Sequence, residues 1–560
     1  MNDVFEFLVD GTSGLAPGGV EGACIVTGVC SVGVVGQGYL LGKSSNLEAL
    51  LGVGPLVDRL RDVFATGGQG PLVIAVPVAG IAGGYITPVE HVGPGPEAVV
   101  SGVAADNADA VVSIVVGGAL GVATYKLSED GGATWGVTGP TPANGQIAIG
   151  ATGATIVLAA GVHVAADTYS ILVRASIGPI DKVGAGPDIA AAGTVKAAAD
   201  VQILIMSAGA RNIGTYQMSL DGGDSWGAVR TIPVDGLIDV GTTGVVVTFP
   251  IGDAVAGDTY SFQLLSPVPT VSGVLDALEI PLGLYDVEFV HVVGPSDSSD
   301  WTALGVQADT LWNLHRPTFF LAETRLPFAN ETIDEWTAAL VLERQGFAHR
   351  FVAVVAAYGE ISDTTGRRLT RNAAGLAAGR LLAIPVMRAL GRVRDGNIAP
   401  LSLPSLYTEA HQATLETAGY ITARRYAGLS GTYWGDERTM ADATSDYQFL
   451  TVLRVVFKAL RKARIAALKS MYDEAGDPTL GEGAAGLAYL QVGIENALNT
   501  LVKAVPSEMA GHQVTIPAGQ DIVNNGVAVE MKLIGIPIIR TIKLYASYVY
   551  AGGAFDPRLK

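Results

Sequence analysis

The chain has 560 residues, enough for about three or four hydrophobic cores, and 49% of them are hydrophobic while 16% are charged. This composition is typical of an ordered protein. The net charge of −18 argues against broad nucleic-acid binding, which requires a basic face. The longest apolar runs, such as 111–123, are broken by glycine and fall short of the ~20 residues of a membrane span.

The first residues predict a strand and not a secretory signal. Residues 3–9 read DVFEFLV and lack the basic region that opens a signal peptide, so we expect folding in a cytoplasm. The Gly/Pro-rich stretch GTSGLAPGG follows and is typical of a flexible tether. We predict an N-terminal arm over 1–20. Its strand residues are Val4, Phe5, Phe7 and Val9.

The first part of a body domain is predicted over 21–90. Its elements are a glycine-punctuated strand region at 22–36, one helix at 47–65 and a buried strand at 72–78. Cys24 and Cys30 lie in the first of these segments and form neither a CxxC pair nor a disulfide framework. We interpret both as core thiols.

A tandem duplication follows. TYKLSEDGGATWG at 124–136 matches TYQMSLDGGDSWG, which begins 91 residues later, and two shorter motifs, DTYS and VGPGPE, recur at the same offset. The short strands and Gly-Asp-Asn turns predict two small β-domains, at 91–182 and 183–270.

Aromatic residues recur at matched positions of the two repeats. They are Tyr125, Trp135 and Tyr169 in the first and Tyr216, Trp226 and Tyr260 in the second. One interpretation is an aromatic platform for a ligand. The other is a buried cluster behind each Asp-Gly-Gly hairpin turn.

Strand and helix patterns alternate three times between 271 and 400, which indicates a parallel α/β layer. The predicted strands are 287–293, 317–322 and 351–357, and the predicted helices are 301–315, 331–345 and 371–390.

The clearest helical pattern covers 445–473, in a C-terminal domain predicted over 401–536. Ser445 and Gln448 fit a capping box. One face is apolar, and the other carries the basic residues Arg454, Lys458, Arg461 and Lys462. This basic stripe is either a solvated face with local ion pairs or a surface that docks on an acidic patch of a partner.

The last residues predict a strand that lacks a partner. After a helix at 484–504, the run from Val527 to Leu533 alternates apolar and polar residues, and Pro537 interrupts it. The C-terminal arm, 537–560, is β-branched and aromatic, and no later strand exists to pair with it. We expect it to augment the sheet of a neighbouring subunit. Its strand residues are Ile539, Ile542, Leu544 and Tyr548.

Motifs for chemistry are missing from the sequence. VVGQGYLLGKS at 34–44 resembles a phosphate loop, but Gln37 stands where the first glycine is required. The seven histidines are scattered without a metal-ligand spacing. We therefore predict no enzyme activity, no cofactor and no metal.

Three segments resemble contractile phage tail sheath proteins, a class also found in related injection machines. They are GVGPLVDRLRDVFATGGQGPLVIAVPV at 52–78, YWGDERTMADATSDYQFLTVLRVVFKALRKAR at 433–464, and the ending HQVTIPAGQDI…VEMKLIGIPIIRTIKLYASY. The resemblance covers roughly 1–85 and 275–560, with the duplicated β-units outside it.

The resemblance implies an α+β multidomain fold. An α/β sheath body would carry a C-terminal β/helix region, two inserted all-β domains on the outer surface and extended terminal arms. It also implies a structural role: stacked hexameric rings around an inner tail tube, contracting to drive the tube through a bacterial envelope. The implied partners are other copies of the chain, the tube protein, and baseplate and tail terminator proteins, without direct nucleic-acid contact. The implied location is a virion tail assembled in the host cytoplasm.

Two other functions remain open. The paired β-domains could hold a glycan in an oligomeric surface-binding protein. An α/β enzyme with accessory β-domains is the third hypothesis, although it lacks a motif.

Overall fold

The computed structural model describes residues 20–68, 70–363, 365–477, 479, 484–551, 554 and 558. The predicted N-terminal strand residues Val4, Phe5, Phe7 and Val9 therefore lie outside the described residues. The chain divides into two compact units, of which the first ends at Phe457 and the second begins at Lys458. Residues 401–457, predicted to belong to a C-terminal domain, are part of the first unit.

The described chain opens with strands and helices that belong to the α/β body. They are β1 Ala23–Val29, β2 Tyr39–Leu41, α1 Leu47–Leu51, α2 Pro55–Thr66, β3 Leu72–Val78 and β4 Gly80–Ile81. The single helix predicted at 47–65 is wrong, because the chain breaks between α1 and α2. Gly52 and Gly54 adopt φ values of 70° and 136°, which favour glycine, and Pro55 opens the second helix.

Twenty short strands then form an insertion. They are β5 Gly84–Ile86, β6 Glu90–Val92, β7 Ala98–Gly102, β8 Ala108–Val116, β9 Gly118–Ala119, β10 Thr124–Ser128, β11 Gly139–Pro140, β12 Gln146–Ala148, β13 Ala154–Leu158, β14 Val162–His163, β15 Thr168–Ala175, β16 Asp181–Val183, β17 Ala190–Gly193, β18 Ala199–Ser207, β19 Thr215–Ser219, β20 Arg230–Thr231, β21 Leu237–Asp239, β22 Val245–Thr248, β23 Thr259–Leu264 and β24 Val268–Pro269. β4 pairs with β24, so this two-stranded ladder closes the base of the insertion.

The two repeats of the insertion have the same strand pairing. In each, a long central strand pairs with two neighbours, β8 with β10 and β15, and β18 with β19 and β23. Tyr125 lies opposite Ile114 in the first repeat, and Tyr216 lies opposite Ile205 in the second, again 91 residues on. A separate three-stranded sheet lies across each core. Both repeats are therefore all-β, as the duplication predicted.

The rest of the first unit alternates helices and strands. The elements are α3 Val271–Leu284, β25 Phe289–Pro295, α4 Ser298–Asn313, β26 Phe319–Glu323, α5 Ile333–Arg344, β27 Val352–Val355, β28 Tyr358–Ser362, β29 Arg368–Asn372, α6 Ala374–Ala383, β30 Leu401–Ser402, α7 Glu409–Thr417, β31 Ala423–Arg424, β32 Tyr433–Trp434 and α8 Leu450–Leu468. The predicted α/β layer is present as a six-stranded sheet in the order β2-β3-β1-β25-β26-β27.

This sheet is parallel except for the edge strand β2. α2 and α6 pack on one another and against β1, β25 and β26, while α3 and α4 pack on one another and against β3, β26 and β27. Helices on both faces explain why β1 is buried at every residue and reads as a continuous apolar run.

Two predicted helix boundaries in this region are wrong. Of the helix predicted over 371–390, only the part that is α6 forms. It begins later than predicted because Arg371 and Asn372 belong to β29. It ends earlier because Ile384 precedes a proline, which disfavours helical geometry. The capping box of Ser445 and Gln448 is not formed. The Gln448 amide donates to the backbone oxygens of Ala443 and Ser445, and α8 begins only at Leu450.

The second unit contains the elements that follow α8. They are α9 Ala485–Val502, β33 Gly511–Thr515, α10 Ile522–Asn525 and β34 Glu530–Ile534. α9 agrees with the helix predicted at 484–504. None of the helices in the described part of the chain has the length and apolar character that a bilayer crossing requires.

Candidate functional site

The hairpin of β33 and β34 is the platform on which the C-terminal tail begins. The strands are antiparallel, with five residue pairs running from Gly511 opposite Ile534 to Thr515 opposite Glu530. The predicted alternation is confirmed: Met531 and Leu533 pack on the core of the second unit, and the residues between them face outward. In the described residues this sheet has two strands, so each strand keeps one unpaired edge.

Beyond Ile534 the chain continues as an exposed apolar tail. Residues 535–550 have neither helix nor strand structure, and their side chains face water except for Ile538. Ile539 is 80% exposed, Ile542 73%, Leu544 90% and Tyr548 82%. The strand predicted here does not form within the described chain, because its backbone pairs with no other described strand. The four predicted residues are thus together on one accessible segment.

The core behind the hairpin is formed by α9 and the end of α8. Ala459 and Ala463 of α8 lie in one apolar core with Ile494 and Leu498 of α9. The hairpin closes this core through Val514. The tail therefore leaves from an element that is anchored by apolar packing.

The predicted basic stripe on α8 is only partly a surface. Arg454 is buried, forms an ion pair with Glu288 and donates to the Leu381 oxygen at 2.8 Å, so its assignment as a docking residue is wrong. It lies on the same face as Leu450 and Phe457, one helical turn to either side, and this face is turned inward.

The other three stripe residues are half-buried in the second unit. The Lys458 Nζ atom lies 2.8 Å from the Glu508 carboxylate. The positive charge of Lys458 is therefore partly neutralised within the second unit. Arg461 and Lys462 are half-buried, while Arg464, further along α8, and Lys469, just after its end, are exposed. The exposed basic surface therefore lies toward the C-terminal end of α8.

A buried ionic cluster that the sequence analysis missed lies in the α/β body. Arg59 of α2 makes two hydrogen bonds to Glu323 at 2.7 and 2.8 Å, and the His291 Nε2 atom lies 3.0 Å from the same carboxylate. Arg371 binds Asp62 beside it. Because Arg59 and Glu323 are 264 residues apart in sequence, no local pattern could have revealed the pair.

The acid response of this cluster is a testable property. Burial by itself would raise the pKa of the Glu323 carboxyl, but the charge and hydrogen bonds of Arg59, with those of His291, lower that pKa to about 2. Because the pKa is lower in the folded chain, the stabilisation is fully present above about pH 4.5 and is lost as the pH falls toward 2.

We therefore expect Glu323→Gln to be less stable than the native chain at pH 7, with the difference shrinking below pH 4. Denaturant unfolding at several pH values measures this. A difference that is constant from pH 7 to pH 3 would show that the carboxylate charge is not what stabilises the cluster. Glu279→Gln, at an exposed glutamate of α3, is the control.

The matched aromatic residues divide between the two interpretations. Tyr169 and Tyr260 are fully buried, and each hydroxyl donates to a proline backbone oxygen at 2.7 Å, which supports the core interpretation. Trp135 and Trp226 are each 38% exposed, so a fully buried aromatic cluster is wrong for them. The Lys126 Nζ atom lies 4.0 Å from the centre of the Trp135 ring.

The segment that resembles a phosphate loop has another role. Leu40 and Leu41 of β2 pair with Ile74 and Val73 of β3, so their backbone groups belong to the sheet. Cys24 is buried, which raises the pKa of its thiol, and Cys30 is half-buried and donates to the Val32 oxygen. Among the described residues, no group of three or more His, Cys, Asp or Glu side chains could hold a metal ion.

Comparison with protein families gives a match over almost the whole chain. The model of the DUF2586 N-terminal domain matches residues 1–438, and that of the DUF2586 C-terminal domain matches 446–553. The chain belongs to the DUF2586 family. The N-terminal match spans the duplicated β-units, which the sequence resemblance had left outside.

A curated relative connects this DUF2586 chain with phage tails. It is 34% identical over 118 residues to a protein of Haemophilus phage HP1 named "Putative tail sheath protein". The match covers 19% of this chain and 31% of the phage protein, so the chain spans less than a third of that relative. The sequence resemblance to tail sheath proteins is confirmed at this level.

Three solved structures show remote similarity to the DUF2586 chain. The sheath tail protein of Desulfitobacterium hafniense is 12% identical, with 96% of this chain and 100% of that chain covered and a TM-score of 0.42. The sheath tail protein of Listeria innocua is 8% identical, with 94% and 97% covered and a TM-score of 0.41. The contracted PVC sheath of an extracellular contractile injection system is 18% identical, with 52% and 77% covered and a TM-score of 0.39.

Proposed function

We propose that this chain is a structural subunit of a contractile tail sheath. It polymerises as stacked hexameric rings around an inner tail tube and contracts to drive the tube through a bacterial envelope. The observation that carries the proposal is the exposed apolar tail, which begins at a hairpin with unpaired edges. The phage relative named as a tail sheath protein supports the same function.

The tail and the hairpin are complementary surfaces. The tail offers β-branched and aromatic side chains and pairs with no described strand, and β33 and β34 offer edges that accept a further strand. We propose that the tail of one copy adds to the hairpin of another. The strand that the sequence predicts at the N-terminus, with Val4, Phe5, Phe7 and Val9, would make a second connection of the same kind.

The expected free energy of binding is small for one tail and large for many tails in an array. Burial of a large apolar side chain contributes about 1.5–3 kcal/mol, while ordering the backbone costs about 1–2 kcal/mol per residue. These terms are similar in size for one tail, so pairing requires the backbone hydrogen bonds and the neighbouring subunits. Such arms would keep subunits connected while rigid bodies change their packing during contraction.

Further contacts follow from the proposed role. The basic end of α8, with Lys462 followed by Arg464 and Lys469, would meet acidic groups of the tube protein or of an adjacent subunit, with Lys458 and Arg461 contributing from its half-buried side. Baseplate and tail terminator proteins would limit the length of the array at its ends. The location would be a virion tail assembled in the host cytoplasm, and the subunit would act without catalysis or nucleic-acid contact.

A second candidate function concerns the insertion alone. Exposed Trp135 and Trp226, one on each β-domain, favour a glycan-binding role, because sugar rings stack on exposed aromatic faces. This role is compatible with a sheath whose inserted domains project outward.

Negative-stain electron microscopy of the purified chain tests the proposed function. Rings or tubes with six-fold symmetry are expected. Monodisperse single particles across a range of protein and salt concentrations would contradict it.

The insertion should be dispensable for assembly. β4 and β24 close its base, so joining Ile81 to Val268 by a short Gly/Ser linker should retain the unfolding midpoint of the body and the formation of tubes. A linker from Val89 to Val271 is the matched comparison. It deletes β24 and leaves β5 without its partner β15, and we expect lower stability. Loss of assembly with the first linker, despite a folded body, would contradict the prediction.

A further inference from the structure

A cavity of about 630 Å³ lies in the first unit. It is lined by residues of β30, α7, β31 and the loop that follows β31. Its walls are mixed: Leu403 and Leu429 are apolar, Tyr407 and Gln412 bring polar groups, and the charged residues are two arginines and one acid, Arg424, Arg425 and Glu409.

Two donors in this wall lack partners. The Tyr407 hydroxyl belongs to a side chain that is only 8% exposed, and it makes no hydrogen bond within the described structure. The Arg424 Nε–H group likewise makes no hydrogen bond within the described structure. An unsatisfied buried donor costs about 1–3 kcal/mol, so an acceptor that reached either atom through a small rearrangement of the wall would offset that cost. Burial raises the pKa of the Tyr407 hydroxyl, which therefore remains a donor.

The charge of the cavity also indicates an anionic ligand. The Arg424 guanidinium lies 4.6 Å from the centre of the Tyr426 ring, and Arg425 donates to the Leu403 oxygen. Neither arginine forms an ion pair with any described residue, in a chain whose net charge is −18. Two guanidinium groups that line one cavity and pair with no described carboxylate favour binding to a pair of acidic groups.

A segment with the complementary chemistry is exposed in the second unit. Tyr472, after the end of α8, is 99% exposed, and the exposed acids Asp473 and Glu474 follow it. No described residue forms an ion pair with either acid. The two carboxylates match the two guanidinium groups, and the tyrosine ring matches the apolar walls of Leu403 and Leu429.

We propose that the 472–474 segment of one copy docks into the Arg424–Arg425 cavity of another copy. This interface is separate from the tail and would be a second contact between subunits. It rests on the proposed function only in requiring that copies of the chain meet. Asp473 and Glu474 bind Arg424 and Arg425, and Tyr472 packs against the leucines.

Fluorescence anisotropy tests the proposal with a labelled peptide of residues 470–477 and the full-length chain, at a concentration where the chain sediments as a monomer. Saturable binding is expected. Arg424→Glu/Arg425→Glu should weaken it by about tenfold or more, because two charge pairs become repulsive. Arg394→Glu, at an exposed arginine outside the cavity, is the matched control and should change binding less than about twofold.

The peptide with Asp473→Lys and Glu474→Lys should bind the Arg424→Glu/Arg425→Glu chain better than the native chain, since the charges are exchanged. Circular dichroism confirms that each variant is folded. No binding by the native chain, no effect of the Arg424→Glu/Arg425→Glu change, or failure of the charge exchange would overturn the proposal. Inorganic phosphate competing as well as the native peptide would overturn it too. Tube formation is measured separately, so the sheath function and this interface can fail independently.

Discussion

Arg454→Met is expected to destabilise the first unit by about 3–5 kcal/mol, because it leaves Glu288 buried without its cation. The ion pair between these side chains is almost completely excluded from water, and Arg454 also donates to the Leu381 oxygen. Denaturant unfolding measures the change. Arg464→Met, at an exposed arginine on the same helix, is the control and should change stability by less than about 0.5 kcal/mol.

A double variant identifies the cause of this loss. Arg454→Met combined with Glu288→Leu removes both charges and should recover much of the stability, since apolar groups of similar volume often replace a buried ion pair at little cost. An Arg454→Met chain as stable as the native chain would contradict the structure. A double variant less stable than Arg454→Met would show that packing around Arg454, and not its charge, is essential.

Deletion of residues 538–560 is expected to abolish polymerisation while both compact units stay folded. The side chains of the tail are exposed except for that of Ile538, which is half-buried, so removing the tail exposes little apolar core. Circular dichroism measures the fold, and sedimentation with electron microscopy measures assembly. Deletion of 551–560 alone keeps the apolar strand and is the matched control.

A double proline variant should have the same effect as the long deletion. Ile542→Pro with Leu544→Pro removes two backbone donors from the tail and blocks strand pairing without removing its length. Tubes of native appearance from either the proline variant or the 538–560 deletion would contradict the role of the tail.

The parts of the fold that sequence could predict are those with a local or repeated signal. The β-units were recognisable because Thr124 and Thr215 open the same motif, and the observed strand registers repeat at the same spacing. The α/β body was recognisable because strands buried on both faces are continuous apolar runs, as in β1 and β27. The tail was recognisable as an apolar strand without a later partner.

The errors come from interactions that depend on distant residues or on backbone conformation. The pattern of α8 marked Arg454 as one of a basic stripe, but it could not show that this position turns inward to meet Glu288, 166 residues away. Helical spacing continued across Gly52 and Gly54, although these residues end one helix before the next begins. The unpaired donors of Tyr407 and Arg424 could be recognised only in the folded structure, because no local sequence pattern shows which hydrogen bonds a side chain makes.

Cryo-electron microscopy of tubes assembled from the native chain shows directly whether the tail connects subunits. We expect residues 538–550 to form a strand paired with β33 or β34 of a neighbouring subunit, with Ile539, Ile542, Leu544 and Tyr548 removed from water. Tubes in which this tail folds back on its own subunit, or pairs with no strand, would contradict this expectation.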